Sequence, residues 1–194
     1  MSTVPIFADE KWQLPPRGKT AMLSLIVGEC GIFGIFVAAY IFYIGRSLYG
    51  PTPRILEVPV FNTVCLLSSS LTIWLAEHAI ERGRMRAFAA WWGLTIALGL
   101  VFIGGTAREW HTLILRDGFT IHTNLFGTTF YSLVGLHATH VVVGLIGLSI
   151  IMLFTLLGKV NQSHTGRIQV FALYWHFVDA VWVVVFITVY IVGR

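Results

Sequence analysis

The last hydrophobic stretch of the chain carries two ionisable side chains, His176 and Asp179, between Tyr174 and Trp182. Residues at positions i and i+3 share one face of a helix, so the His176 imidazole is placed to donate to the Asp179 carboxylate. A charged side chain in hydrocarbon costs on the order of 2.5–3.5 kcal/mol, so each group needs a partner or a purpose. Four kinds of chemistry are open here: a structural hydrogen bond, proton handling, binding of a lipid head group, and ligation of a metal or haem.

A lone carboxylate, Glu29, stands about a third of the way into the first hydrophobic stretch, with no basic residue within one helical turn. Such a group is either protonated and neutral or takes a hydrogen-bond donor from another helix or subunit. Gly28, Gly31 and Gly34 recur every three residues beside it and predict a smooth ridge on which another helix packs. We therefore expect Glu29 to lie beside a tight helix contact.

Further histidines and acids lie within or at the ends of the other hydrophobic stretches. His137 and His140 are one turn apart in the fourth stretch, and Gly144 continues their face, which predicts that this face points into protein. The other candidates close the second and third stretches: Glu77, His78 and Glu109. Structural hydrogen bonding and proton handling are both open for these residues, and we place Glu109 at the membrane surface or in a packed interior.

The composition is that of an integral membrane protein. Hydrophobic residues make up 56% of the chain and charged residues 11%, against roughly one quarter charged in a soluble domain. The net charge of +4 does not indicate nucleic-acid binding, because the Lys and Arg residues lie between hydrophobic runs instead of forming a patch. Cys30 and Cys65 each fall inside a hydrophobic stretch and show neither a disulfide framework nor a Cys-x-x-Cys metal motif.

These groups must be positioned by membrane-spanning helices. A bilayer core about 30 Å thick needs roughly 20 apolar residues, and five stretches meet that length. The sequence thus predicts an all-α membrane protein, a single five-helix transmembrane domain over residues 20–194 that follows a cytoplasmic tail, residues 1–19. The predicted spans are 20–44, 58–80, 87–106, 123–157 and 168–192.

The distribution of Lys and Arg predicts the orientation, because cytoplasmic loops carry an excess of these residues. More Lys and Arg residues lie on the cytoplasmic side if the N-terminus is inside and the C-terminus outside. The residues on the inner side would then be Lys11, Arg17, Lys19, Arg82, Arg84, Arg86, Lys159 and Arg167, and those on the outer side Arg46, Arg54, Arg108, Arg116 and Arg194.

Five segments of the sequence are distinctive in their order and spacing. They are residues 26–29 (IVGE), 56–63 (LEVPVFNT), 126–130 (FGTTF), 135–141 (GLHATHV) and 174–182 (YWHFVDAVW). Through these segments, from about Gly18 onward, the chain resembles subunit III of the haem-copper terminal oxidases, the cytochrome c oxidase subunit 3 family. The resemblance implies the five-span form that is common in bacterial oxidases, and hence a multi-pass protein of the bacterial inner membrane.

The resemblance also implies a role. Family members are non-catalytic subunits of proton-pumping oxidases that take electrons from cytochrome c or a quinol. They bind no haem or copper, which lie in partner subunits, and no metal site is expected here. Their helices flank subunit I, support its stability and proton uptake, and hold phospholipids in a cleft thought to guide oxygen. The implied partners are subunit I directly, subunit II, small subunits, phospholipids and a respiratory supercomplex.

By the same resemblance, Glu29 matches the buried acid that a carbodiimide modifies in the family. His137, His140, His176 and Asp179 match polar positions whose role is structural or a proton relay. Two departures concern the surface: the family pattern leads us to expect two adjacent histidines where this chain has Glu77-His78 and Trp74, and Arg108 stands beside the family's acid at Glu109.

Two other functions stay open. The chain could be a related accessory subunit of a nitric-oxide reductase, which shares the bundle without serving a proton pump. It could instead be a stand-alone small transporter or haem-binding protein, with the histidines of the last two spans as axial ligands. A haem protein purified alone would show a Soret band, whereas a subunit III would be colourless.

Overall fold

The computed structural model describes residues 17–44, 46, 56 and 58–192 and confirms the five predicted helices. Each helix is long and apolar enough to cross a bilayer, and the described residues contain no strand. The helices are α1 (Arg17–Tyr43), α2 (Val60–Glu81), α3 (Met85–Leu115), α4 (Leu125–Leu156) and α5 (Thr165–Phe186). A short 3₁₀ turn, Gln162–His164, precedes α5, and a π-helical segment, Ile187–Val192, continues it.

Four of the five helices extend beyond the predicted spans, α3 by the most. The third was expected to end at Thr106, but α3 continues to Leu115, because hydropathy marks the apolar part of a helix and not the end of its hydrogen bonding. Leu113, in that extension, is buried in the core. α1 begins at Arg17, so it includes the last residues of the expected tail, and residues 1–16 lie outside the described part of the chain.

Glycines in the left-handed conformation end two of the helices at the same end of the bundle. Gly83 (φ 68°) follows α2, and Gly158 (φ 69°) follows α4. Beyond α4, the Gly158 N–H donates to the Thr155 carbonyl and the Lys159 N–H to the Phe154 carbonyl, which satisfies carbonyls that the helix end leaves unpaired. A side chain at these positions would strain the turn, so the two glycines permit the sharp reversals between neighbouring helices.

α5 lies at the centre of the bundle, in contact with α1, α2 and α4, while α2 and α3 form a close antiparallel pair. The core is aromatic, with Trp92, Trp175 and Trp182 fully buried. Side chains of this size bury large apolar areas and fix how the helices pack. The core thus sits along α5 and the facing sides of its neighbours.

α4 and α5 approach closely at a glycine, as the sequence predicts for the face that Gly144 shares with His137 and His140. A Cβ added at Gly144 would lie 2.8 Å from the Trp175 ring and 3.3 Å from the Tyr174 ring. Only a residue without a side chain lets the two aromatic rings pack against the α4 backbone.

The glycine ridge of α1 does not make the helix contact that we expected within this chain. Gly28, Gly31 and Gly34 have no atom within 4 Å of an added Cβ. Most of α1 is exposed, and Val27 retains 72% of its accessible surface. Glu29 turns toward α4 from the other side of α1, so the ridge and the carboxylate use different faces of the helix.

Candidate functional site

Glu29 of α1 meets His140 of α4. The Glu29 Oε2 and His140 Nε2 atoms are 3.2 Å apart, and the side chains keep 20% and 15% of their accessible surface. The carboxyl therefore has the partner from another helix that its isolation in the sequence required. This contact joins α1 to the rest of the bundle at the level where α1 otherwise presents small or apolar side chains.

The other ring nitrogen of His140 determines where the proton of this pair lies. His140 Nδ1 is 2.8 Å from the Leu136 carbonyl, which can only accept, so Nδ1 carries a hydrogen. A single proton then lies between His140 Nε2 and the Glu29 carboxyl. It gives either a neutral pair, in which Glu29 donates, or an ion pair, in which the imidazolium donates. Both forms hold the same number of protons and differ only in which of the two side chains carries the shared one.

A second cluster, which we call the α2–α5 cluster, consists of Ser69, Ser70, Glu77, His176 and Asp179. Ser70 Oγ donates a short hydrogen bond to Asp179 Oδ2 and lies 3.2 Å from His176 Nδ1. His176 Nε2 lies 3.8 Å from Glu77 Oε2. The expected partner of His176 is therefore replaced: Ser70, on a different helix, joins the imidazole to the carboxyl.

The α2–α5 cluster forms a graded path from partly exposed to buried groups. Because the Ser70 hydroxyl gives its hydrogen to Asp179, it accepts from His176 Nδ1–H, which leaves Nε2 facing Glu77. The His176 side chain is 35% exposed, whereas Asp179 is 3% exposed. Such a series of hydroxyl, imidazole and carboxyl groups can pass a proton between its two ends.

Ser69 and Trp175 complete the inner end of the cluster. Trp175 Nε1 donates to Ser69 Oγ at 2.8 Å, and the Ser69 hydroxyl donates to the Leu66 carbonyl at 2.6 Å. The Ser69 hydroxyl lies 3.5 Å from Asp179 Oδ2, which is the limit of a hydrogen bond, so Ser70 holds this carboxyl. Asp179 Oδ1 has no hydrogen-bond partner among the described residues.

His137 stands apart from both sites. It is fully buried, and neither ring nitrogen has a hydrogen-bond partner in the described part of the chain. Its ring is 5.0 Å from Trp182, 5.8 Å from Phe102 and 6.5 Å from Phe33, between centroids. The structure therefore separates the two histidines of α4: His140 contacts an acid, and His137 packs in an aromatic cage.

The other predicted residues take separate partners. Glu109, which is partly buried, accepts from the Tyr190 hydroxyl at 3.0 Å, so it contacts the π-helical continuation of α5. His78 donates from Nδ1 to the Trp74 carbonyl at 2.9 Å, and its ring packs 4.1 Å from the Trp74 ring. Neither joins the α2–α5 cluster, although Glu77, next to His78, does.

Sequence reasoning missed the residues that complete these sites. The sequence analysis assigned no role to Ser70 or to Tyr190. Tyr174 was noted within the last motif, but not as a donor: its hydroxyl bonds the His140 carbonyl at 3.2 Å. A signal existed for Ser70, because a run of serines in a membrane span predicts hydrogen bonding across helices. No comparable signal could assign a partner to either tyrosine.

The histidines and acids of the described residues do not form a metal-binding group. No three His, Cys, Asp or Glu side chains there lie close enough to hold one ion. The partners found for His140 and His176 are carboxyl, hydroxyl and carbonyl oxygens. The donor set thus favours hydrogen bonding and proton exchange as the chemistry of these sites.

Comparison with known proteins shows the family to which this chain is related. Residues 49–194 match the family described as Cytochrome c oxidase subunit III. The chain belongs to the cytochrome c oxidase subunit III family. The matched region contains α2 to α5, and with them the α2–α5 cluster, while α1 with Glu29 precedes it.

Curated relatives of this subunit III family chain extend the similarity through α1. The "Cytochrome c oxidase subunit 3" of Thermostichus vulcanus is 35% identical over 97% of this chain and 94% of its own length. The protein of the same name in Alkalihalophilus pseudofirmus is 34% identical over 91% of this chain and 89% of its own. The "Cytochrome bo(3) ubiquinol oxidase subunit 3" of Pseudomonas aeruginosa is 33% identical over 87% and 81%.

Proposed function

We propose that this chain is the non-catalytic subunit III of a proton-pumping haem-copper terminal oxidase of aerobic respiration. One observation carries the proposal: relatives bearing the name of that subunit are similar to this chain over nearly the whole length of both. The relatives' names include both cytochrome c and ubiquinol oxidases, and we assign the chain to the haem-copper class that contains both. The enzyme activity belongs to the assembled complex.

We further propose that the complex lies in a bacterial inner membrane, with the N-terminus of this chain inside and its C-terminus outside. In this proposal the chain contacts subunit I, which holds haem and copper, directly. Subunit II, small subunits and a respiratory supercomplex are the further partners. The exposed apolar side of α1 supports a contact with subunit I, because Val27 and its neighbours require lipid or another protein chain as cover. Bound phospholipids would cover the remaining apolar surface and line the route for oxygen.

Within this complex, we assign proton exchange to the Glu29–His140 pair and to the α2–α5 cluster. Each site contains a carboxyl and an imidazole a short distance apart. The Glu29–His140 pair lies beside the apolar surface of α1, and the α2–α5 cluster leads from the partly exposed His176 to the buried Asp179. These groups would exchange protons beside subunit I and sustain its proton supply. They perform no redox step themselves, since none of them holds a haem or a metal in this assignment.

Copurification tests the assignment. The chain, tagged at its C-terminus in its own host, is extracted in mild detergent, and native mass spectrometry identifies its companions. We expect a haem-containing subunit I and a subunit II among the companions. Once separated from them, this chain should show no Soret absorbance of its own. A nitric-oxide reductase core among the companions would contradict the assignment, as would a pure, haem-coloured preparation of this chain alone.

A further inference from the structure

A third polar contact joins α3 to the end of α5, outside the two sites described above. The Tyr190 hydroxyl donates to Glu109 Oε1 at 3.0 Å, and Tyr190 is only 2% exposed. Tyr190 lies in the π-helical segment that continues α5. Such π-helical turns are rare and frequently occur at functional sites. The contact gives a buried phenol a neighbouring group that can take its proton.

This proton acceptor distinguishes Tyr190 from the other buried tyrosines of the described chain. The hydroxyls of Tyr131 and Tyr174 donate to backbone carbonyls, at 2.8 Å and 3.2 Å. The Tyr40 hydroxyl has no hydrogen-bond partner among the described residues. A carbonyl oxygen accepts a hydrogen bond but does not take up a proton near neutral pH, whereas a carboxylate does. Among the buried tyrosines that the structure describes, Tyr190 is therefore the one with a base within hydrogen-bond distance.

A fully buried tryptophan, Trp182, lies beside Tyr190. The centroids of the two rings are 6.5 Å apart, and Phe186 packs against both rings, at 6.3 Å from Trp182 and 5.5 Å from Tyr190. Tryptophan and tyrosine are the aromatic side chains that most readily lose one electron, and electron transfer is fastest between rings that lie close together. An electron can therefore pass between Tyr190 and Trp182.

The hydrogen-bond partners of the two rings determine the direction of this transfer. Trp182 Nε1–H donates to the Thr63 hydroxyl at 3.2 Å. A hydroxyl is a poor base, so an oxidised Trp182 keeps its proton, stays positively charged and remains a strong one-electron oxidant. A phenol that loses an electron becomes a strong acid and releases its proton when an acceptor lies within hydrogen-bond distance. Because Glu109 is such an acceptor, the electron moves from Tyr190 to Trp182.

The surroundings of Glu109 suit a group that receives a proton. Glu109 lines an open polar groove of about 710 Å³ between the beginning of α2 and the last turns of α3, and Arg108, Arg116 and Asp117 line the same groove. Water and guanidinium groups stabilise the ionised form of a carboxyl. Glu109 is therefore a carboxylate before the transfer and holds the proton after it.

We propose that Tyr190 is a redox-active tyrosine. When a one-electron oxidant removes an electron from Trp182, Tyr190 supplies an electron to the indole, its O–H bond breaks, and the proton passes to the Glu109 carboxylate. The products are a restored Trp182, a neutral Tyr190 phenoxyl radical and a protonated Glu109. A one-electron reductant reverses the step, and Glu109 then returns the proton. The inference goes beyond the proposed function, which gives the chain no redox step, and the site does not depend on which companion chains are present.

Radical spectroscopy tests this site. The intact complex is frozen and illuminated with ultraviolet light, which ionises tryptophan directly and so requires no haem. It is then warmed stepwise while still frozen and followed by electron paramagnetic resonance. Tryptophan radicals of the wild type should convert into a tyrosyl signal, and Tyr190→Phe should lose a component of that signal. Tyr131→Phe is the matched control and should keep the full signal, because Tyr131 lies 5.2 Å from the Trp110 ring but bonds a carbonyl.

A second pair of variants tests the proton acceptor. Glu109→Gln keeps an oxygen that accepts from Tyr190 but cannot take up its proton, so the Tyr190 component should grow about a hundredfold more slowly. Asp117→Asn removes a carboxylate from the same groove and should leave that rate unchanged. Identical tyrosyl signals in the wild type and Tyr190→Phe would overturn the proposal. So would equally fast growth in Glu109→Gln, or an undiminished Tyr190 component in Trp182→Phe.

Discussion

At the scale of single residues, Ser70 shows how much one hydroxyl can organise. It donates to the buried Asp179 carboxyl and accepts from His176, so it joins an acid and an imidazole of α5 through a residue of α2. Without Ser70, the described chain leaves Asp179 only the distant Ser69 hydroxyl. The cost of leaving a buried acceptor unsatisfied is about 1–3 kcal/mol, which is large compared with the net value of most hydrogen bonds.

Replacing Ser70 by Ala should therefore lower the stability of the subunit by about 1–3 kcal/mol. Ser68→Ala is the control, because Ser68 is exposed on the same helix. Thermal denaturation of the purified complex in detergent, followed through dissociation of this chain, measures the difference. A midpoint for Ser70→Ala equal to that of Ser68→Ala would show that Asp179 does not depend on this bond.

Glu29 is the other residue whose environment predicts a specific reaction. Carbodiimides attack a protonated carboxyl in an apolar setting, and Glu29 meets that description when its proton lies on the carboxyl in the pair with His140. We expect Glu29→Gln to abolish carbodiimide labelling of this chain and to leave oxygen reduction largely intact. The amide of Gln can still donate to His140 Nε2, so the helix contact survives.

Mass spectrometry of the labelled chain measures this effect. Glu81→Gln, at the exposed end of α2, should label like the wild type. Persistent labelling of Glu29→Gln would show that a different carboxyl reacts with the carbodiimide. Asp179→Asn would then test whether that carboxyl is Asp179.

At the scale of the helices, the fit between α4 and α5 depends on Gly144. A methyl group there would press into the Trp175 ring at 2.8 Å, and Trp175 is fully buried and bonded to Ser69. The ring cannot retreat without breaking that bond. The same contact therefore carries both the packing of the two helices and the position of the α2–α5 cluster.

Gly144→Ala should destabilise the subunit by about 1–3 kcal/mol, the usual cost of overpacking a core. Gly166→Ala is the control in α5, since no atom lies within 4 Å of its added Cβ. Alanine is the better helix former by roughly 0.5–1 kcal/mol, so the control should be neutral or slightly stabilising. Thermal midpoints of the two variants, measured in the same detergent, compare them. A stable Gly144→Ala protein would mean that the helices lie further apart.

At the scale of the whole molecule, the distribution of the basic residues predicts the orientation, with the N-terminus inside. The turn between α2 and α3 carries Arg82 and Arg84, and the first turn of α3 carries Arg86; all three are exposed. In a variant lacking Cys30 and Cys65, we expect Arg84→Cys to be protected from an impermeant thiol reagent in intact cells. His122→Cys, in the exposed connection between α3 and α4, should react. The reverse pattern would place the N-terminus outside.

The subunit as a whole should extend the working life of the oxidase. Removing this chain from the oxidase should lower the number of turnovers before inactivation more than it reduces the initial rate. The reason is that, in the proposed function, the chain covers subunit I and sustains its proton supply without performing redox chemistry. Oxygen consumption followed over many turnovers measures both quantities. Immediate loss of haem on removal of the chain would instead indicate a direct role in holding the catalytic centre.

The helices were predictable because their signals are local. Each span needs about 20 apolar residues, and that requirement is visible along a single stretch of sequence. This signal fails where a helix continues into a polar stretch. The Arg108–Leu115 part of α3 is helical although its polarity predicts a loop, because Tyr190 bonds Glu109 and Leu113 is buried in the core.

The sequence by itself determined the membrane class, the five helices, the family resemblance and the need of Glu29 and Asp179 for partners. Only the tertiary structure decided which partners these are. That choice depends on how each helix is rotated against its neighbours, which the order of residues does not state. Rotation brings Ser70 between His176 and Asp179, turns Glu29 to His140, and leaves the glycine ridge of α1 facing outward.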